Sequence, residues 1–95
     1  MNKYESVVII NPEVDEEGVK ALENTFTDMI NKNGKVSKVD ELGKKKLAYE
    51  VKKFAEGTYV VFYFEANTSL IAELERNYRI TDEVIKFITV KLDEE

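Results

Sequence analysis

The sequence predicts an α+β fold of order β-α-β-β-α-β, with a four-stranded antiparallel sheet and both helices on one face. Three observations predict it. A short β-branched run, "KYESVVII", occupies residues 3–10. The segments Asp15–Asn33 and Ser69 to about Tyr78 switch to helical apolar spacing. Period-two segments lie between and after them, the strongest being "TYVVFYFEA" at residues 58–66.

The first strand is ended by Asn11-Pro12, a turn signal. In the first helix Val19, Leu22, Phe26, Met29 and Ile30 mark one face. Asp15 is its expected N-cap, Glu16 and Glu17 suit its positive start, and Gly34 is its expected C-terminal stop. Gly18 in the first turn weakens helix propensity slightly. Residues 35–52 read as a long strand with an interruption. Val36 and Val39 break strict alternation, whereas Leu47, Tyr49 and Val51 keep it. A bulge near Asp40–Gly43 reconciles the two halves. Phe54–Gly57 is expected to be a short connection to the third strand. The second helix follows, capped by Asn67 or Thr68, with Leu70, Ile71, Leu74 and Tyr78 inward. "EVIKFITVKL", residues 83–92, is the last strand, before the acidic end "DEE".

Two right-handed strand-helix-strand units of this kind interleave into the ferredoxin-like split βαβ fold. The expected spatial order is fourth, first, third, second, which puts residues 35–52 at an edge. The chain of 95 residues is read as a single domain, 1–95, large enough for a core with a small stability margin. No internal repeat, low-complexity segment or linker interrupts it.

Only one face of the sheet can pack on helices. In the third strand Val60, Phe62 and Phe64 alternate with Tyr59, Val61 and Tyr63. The Phe-bearing set is expected in the core, because a Tyr hydroxyl needs a partner when buried. The opposite face then carries Val7, Ile9, Tyr59, Val61 and Tyr63. An apolar patch of that kind marks an interaction surface. On this reading Val61→Asp costs much less stability than Phe62→Asp. Sheet aromatics also suggest base stacking, but the aromatic and glycine motif of RNA-recognition domains is absent from "TYVVFYFEA". A protein partner fits the face better.

The chain is acidic, with a net charge of -5, yet residues 35–53 hold seven lysines against Asp40, Glu41 and Glu50. That segment nets +4, so the remainder nets -9. Lys44, Lys45 and Lys46 sit at its centre. Lysines on an edge strand discourage sheet-to-sheet pairing, and a basic stripe can also neutralise phosphate. The acidic remainder argues against free, nonspecific nucleic-acid binding.

Chemistry is hard to place in this sequence. It has neither Cys nor His, so thiolate and imidazole sites are excluded. There is no P-loop, no dinucleotide fingerprint and no nucleophile elbow. Asp15, Glu16 and Glu17 are better explained as helix-start charges than as a metal site. Acylphosphatases share the topology, but they need an Arg in the loop after the first strand, where this chain has "NPEVDEEG". No enzyme activity, metal or cofactor is expected. The opening run is too short and too interrupted for a signal peptide or membrane span, and a cytoplasmic protein is expected.

"KYESVVIINPE", "ELGKKKLAY" and "RITDEVIKFITVKL" together resemble the bacterial small-subunit ribosomal protein S6 family. The resemblance covers essentially the whole chain in order, and "ELGKKKLAY" is its most specific element. It implies a ferredoxin-like fold and a structural role in the small ribosomal subunit. It also implies binding to the central domain of small-subunit ribosomal RNA together with the small basic protein S-eighteen. By position it implies RNA-binding roles for Lys3, Lys44, Lys45, Lys46, Arg79, Lys86 and Lys91. The patch of Val7, Ile9, Tyr59, Val61 and Tyr63 then faces the partner protein. Many members carry a longer C-terminal tail than "KLDEE". A second reading, from another class, is a small-molecule regulatory domain of the ACT type, which has the same topology but no reason to cluster lysines.

Overall fold

The computed structural model describes residues 1–92; the acidic end "DEE" lies outside the described residues. The elements are β1 (Asn2–Ile10), α1 (Glu16–Asn33), β2 (Gly34–Val51), β3 (Phe54–Ala66), α2 (Thr68–Ile80) and β4 (Val84–Leu92). They form a four-stranded sheet in the order β2-β3-β1-β4. All three pairings are antiparallel. The expected topology is observed, with β2 and β4 at the edges.

The helices start and stop for different reasons. Asp15 caps α1, its Oδ1 accepting the Gly18 amide at 2.9 Å. Gly34 ends the helix as expected, and it does so in extended backbone. Its φ of -164° is extended and already belongs to β2. Glycine is required there for space, because a Cβ would collide with the Glu65 carbonyl across the ladder. Asn67 precedes α2 without a side-chain capping bond.

One face of the sheet carries the core. Tyr4, Val8 and Ile10 from β1 and Val60, Phe62 and Phe64 from β3 pack against Val19, Phe26 and Ile30 of α1 and Leu70, Leu74 and Tyr78 of α2. Phe26 sits at the junction of both helices and the sheet. It meets Phe62 edge-on at 6.2 Å and Tyr78 at 4.8 Å. Tyr78 is fully buried, and its hydroxyl is 2.9 Å from Ser6 Oγ, which also lies 3.1 Å from Thr89 Oγ1. This chain of hydroxyls satisfies the polar atoms that the core encloses. Tyr78→Phe breaks it while Ser6 keeps Thr89; urea unfolding of that variant should show a loss of about 0.5–1.5 kcal/mol.

Bulges explain the irregular pattern of β2. A register shift between Val36 and Lys38 sets Val36 opposite Phe64 and Val39 opposite Phe62, so both valines reach the core side. A second shift lies between Glu41 and Gly43, within the expected segment, and Gly43 adopts a left-handed φ of 81°. The third was not anticipated. Lys46 pairs with Glu56 but Val51 pairs with Phe54, so Leu47–Glu50 leave the ladder despite their alternating pattern. The connection to β3 also differs from expectation. It is not Phe54–Gly57, which belongs to β3, but the two residues Lys52 and Lys53. Both have positive φ, 51° and 71°, as a tight hairpin turn between right-twisted strands demands. β4 contains a bulge of its own: Ile9 faces Lys86 while Ile10 faces Val84.

Candidate functional site

The sheet face away from the helices is built from Val7 and Ile9 of β1, Tyr59, Val61 and Tyr63 of β3, and Lys86, Ile88 and Val90 of β4. The register joins them in rows: Ile88–Val7–Val61 and Lys86–Ile9–Tyr59. The expected patch therefore exists as one surface. Two of its members need correction. Val61 is only 4% exposed and Ile9 only 5%, so they are buried within the chain itself. Val61 lies between Tyr59 and Tyr63, whose rings carry Lys45 and Lys38 at 6.0 and 5.9 Å. The stems of such lysines cover apolar surface while their heads stay in water. Ile9 is covered from the other side by the end of β2. Leu47, Ala48, Tyr49 and Val51 line a groove of about 230 Å³ whose floor and wall include Val7, Ile9, Tyr59 and Ile88. The inference that Val61→Asp is mild fails with the exposure it assumed.

What remains open on this face lies partly outside the expected set. Val7, Tyr59 and Tyr63 are half-buried. Tyr49 is 70% exposed, Ile88 49% and Val90 48%. Tyr49 stands over Lys86, its ring 5.6 Å from the ammonium. The available signal for Tyr49 was its place beside a lysine run, but alternation assigned it to the ladder. Ile88 and Val90 were legible as the even set of β4, opposite Val7 and Glu5.

The structure divides the expected RNA-binding residues. Lys44, Lys45 and Lys46 follow the Gly43 bulge at the β2 edge, opposite Thr58, Gly57 and Glu56. Lys44 reaches a cleft beside the start of α1, lined also by Asp15, Glu16, Lys20 and Glu41, while Lys45 turns to the open face over Tyr59. Among the described residues none of these three makes an ion pair, whereas Lys38 is held 3.6 Å from Asp40 and Lys20 3.3 Å from Glu41. Lys86 and Lys91 lie on β4, at the opposite edge, and Lys3 lies on β1 beside Leu92. Arg79 is on α2, over the Phe87 ring and 3.9 Å from Glu75. The hairpin partly reunites them, because Lys52 joins Arg79 and Lys86 around one cleft at the start of β4. Two basic clusters therefore exist, one at the β2 edge and one at the hairpin tip.

Perturbed ionisation follows burial rather than a catalytic arrangement. Burial pushes the Tyr78 phenol well above its ordinary value. Burial, with Glu41 beside it, raises the Glu23 carboxyl to about 7. The described residues contain no group of three or more acidic side chains placed to hold a metal ion. No helix among them is long and apolar enough to cross a membrane.

The fold and the site define a ferredoxin-like domain with a basic edge and an aromatic open face. The chain belongs to the ribosomal protein S6 family, whose family model matches residues 3–91. It is a structural component of the small ribosomal subunit, and its setting is the bacterial cytoplasm. It is 52% identical over 91 residues to small ribosomal subunit protein bS6 of Clostridium botulinum (strain Loch Maree / Type A3), covering 95% of this chain and 97% of that protein. The bS6 protein of Campylobacter concisus is 45% identical over 94 residues, covering 98% of this chain and 68% of that one. Among solved structures, 30S ribosomal protein S6 of Thermotoga maritima superposes with a TM-score of 0.90 at 41% identity, over 96% of this chain and 87% of that one. An Arabidopsis thaliana protein at 12% identity and a TM-score of 0.58 shares the fold alone. The ACT-type reading is thereby set aside.

Proposed function

We propose that this chain binds the central domain of small-subunit ribosomal RNA together with the basic ribosomal protein S-eighteen. The β2 edge meets RNA and the open sheet face meets protein. The observation that carries this reading is the run Lys44–Lys46, which follows a bulge on an edge strand and makes no ion pair among the described residues. Lys86 and Arg79, with Lys52, form a second phosphate-facing cluster, and Lys3 and Lys91 extend the basic surface along the neighbouring strand ends. Val7, Tyr59 and Tyr63 make the protein contact, while Ile9 and Val61 are its floor. The need for a basic partner follows from charge. Outside residues 35–53 the chain carries -9, which repels phosphate away from the basic clusters. A basic partner on the open face reverses that field and adds phosphate contacts of its own.

The test is a titration of central-domain RNA with wild type and with a variant carrying Lys44→Glu, Lys45→Glu and Lys46→Glu, each with and without S-eighteen. The variant should fold normally, because exposed edge charges contribute little to stability. Its binding should weaken, with a log–log salt slope shallower by about two to three units if three phosphate contacts are lost. S-eighteen should tighten wild-type binding by a coupling of about 1–3 kcal/mol. An unchanged salt slope leaves the lysines as edge protection only. Equal affinity with and without S-eighteen removes the partner from the reading.

A further inference from the structure

Glu23, on α1, holds a side-chain oxygen that the rest of the site does not explain. Its Oε2 is fully buried, and among the described residues no amide, hydroxyl or ammonium group donates to it. The same carboxyl lies within hydrogen-bonding reach of the Glu41 carboxyl, on β2. Glu41 is held from its other side by Lys20, whose ammonium is 3.3 Å from Oε2. Two carboxylates in this arrangement repel and leave a buried oxygen without a donor. One proton between them removes the repulsion: Glu23 becomes a donor, and Glu41 stays ionised against Lys20.

We propose that Glu23 and Glu41 share a single proton in the folded chain and form a proton-operated clasp that holds the β2 bulge against α1. The position of the clasp gives it its consequence. Glu41 immediately precedes Leu42 and Gly43, the bulge after which Lys44–Lys46 begin. The inter-element contact that Glu41 makes therefore sets the position from which the lysine run continues along the β2 edge. Loss of the proton places two negative charges at the start of that run and frees the bulge to move away from α1.

The charged surroundings are few. On α1 and β2 the groups acting on Glu23 are Lys20 and Glu41. α2 brings Glu73 and Arg76 against Asp28 and Lys32, more than a turn further along α1. Burial is the main cause that raises Glu23 from 4.5 to about 7, and Glu41 adds to it. Glu41 is lowered, chiefly by the same hydrogen bond. The folded chain therefore keeps a proton on Glu23 that the unfolded chain has lost. This contribution is fullest below about pH 4.5 and is lost as pH rises through about 7. Glu41 acts in the opposite sense: its contribution is present above about pH 4.5 and is lost only as pH falls below that value, so the two losses occur in separate windows.

The proposal does not depend on RNA binding and is tested on the free protein. Carbon NMR of the side-chain carboxyls should show Glu23 titrating near pH 7. The backbone amides of Leu42, Gly43 and Lys44 should shift with the same midpoint. Glu23→Gln keeps the donor toward Glu41; it should abolish that step and make stability flat from pH 5 to 8, where the wild-type unfolding constant rises. A Glu23 midpoint near the ordinary 4.5 overturns the shared proton. Amides of Leu42–Lys44 with no step near pH 7 overturn the clasp. The wild-type titration decides both points even if the variant is unstable.

Discussion

Replacing Phe62 with Asp unfolds this protein, and replacing Val61 with Asp comes close to doing so. Phe62 lies in the centre of the core and is 1% exposed, so a carboxylate there has neither water nor a partner. A buried, unpaired charge costs about 3–5 kcal/mol, a large part of the whole stability of a small domain. Val61 faces the other way, yet it too is buried, and its neighbour across the ladder is Asp40. A carboxylate at 61 therefore adds a like-charge pair to the burial cost. The two faces separate with a cation. Val61→Lys can extend its ammonium past Tyr59 and Tyr63 to the open side, and it should cost only about 2 kcal/mol, the lost valine burial. Phe62→Lys has no such exit. Denaturant unfolding of the four variants checks this. If Val61→Lys is as damaging as Phe62→Lys, the open face is sealed, and the partner surface cannot include its centre.

Phe26→Ala should destabilise the domain by about 3–5 kcal/mol. The ring joins α1 to α2 through Tyr78 and to the sheet through Phe62. Its removal takes two edge-to-face contacts and leaves a cavity between three elements that cannot all close on it. For a chain of this size the melting temperature should fall by upwards of about 12 °C. RNA binding below that temperature should keep its salt slope, since none of the basic clusters touches Phe26. Calorimetry and the RNA titration together separate a core defect from an interface defect. A fall of under about 1 kcal/mol would mean that α2 can settle onto α1 without the ring.

The two edges of the sheet bear on function differently. β2 carries two bulges within its first ten residues and a lysine run without ion pairs among the described residues, so it is a poor template for another strand. β4 is regular beyond Lys86 and exposes Ile88 and Val90, so it continues the apolar open face to its border. β2 and β4 lie at opposite edges of the sheet, and β4 carries Lys86 and Lys91 beside its apolar residues.

The sequence by itself determined the element order, the sheet topology and the division of residues into core and open face. It could do so because each depends on local chemistry. Asp15 caps a helix wherever the chain folds, and the alternation of Phe and Tyr from Tyr59 to Phe64 leaves one set inward. The lysine cluster was legible for the same reason, since charge is counted without coordinates. Tertiary structure alone decided the rest. The hairpin turn at Lys52–Lys53 lacks the Asn-Gly signal and takes positive φ only because its flanking strands require it. The departure of Leu47–Glu50 from the ladder was hidden by a pattern that suits a strand. Once those residues cross the open face, Ile9 is buried, Tyr49 meets Lys86, and Lys52 joins Arg79. Each of these contacts links residues more than twenty-five positions apart along the chain, and no periodicity within either segment encodes it. The carboxyl pair of Glu23 and Glu41 was invisible for the same physical reason: two ordinary surface glutamates become one proton site only when a helix and a bulged edge bring them together.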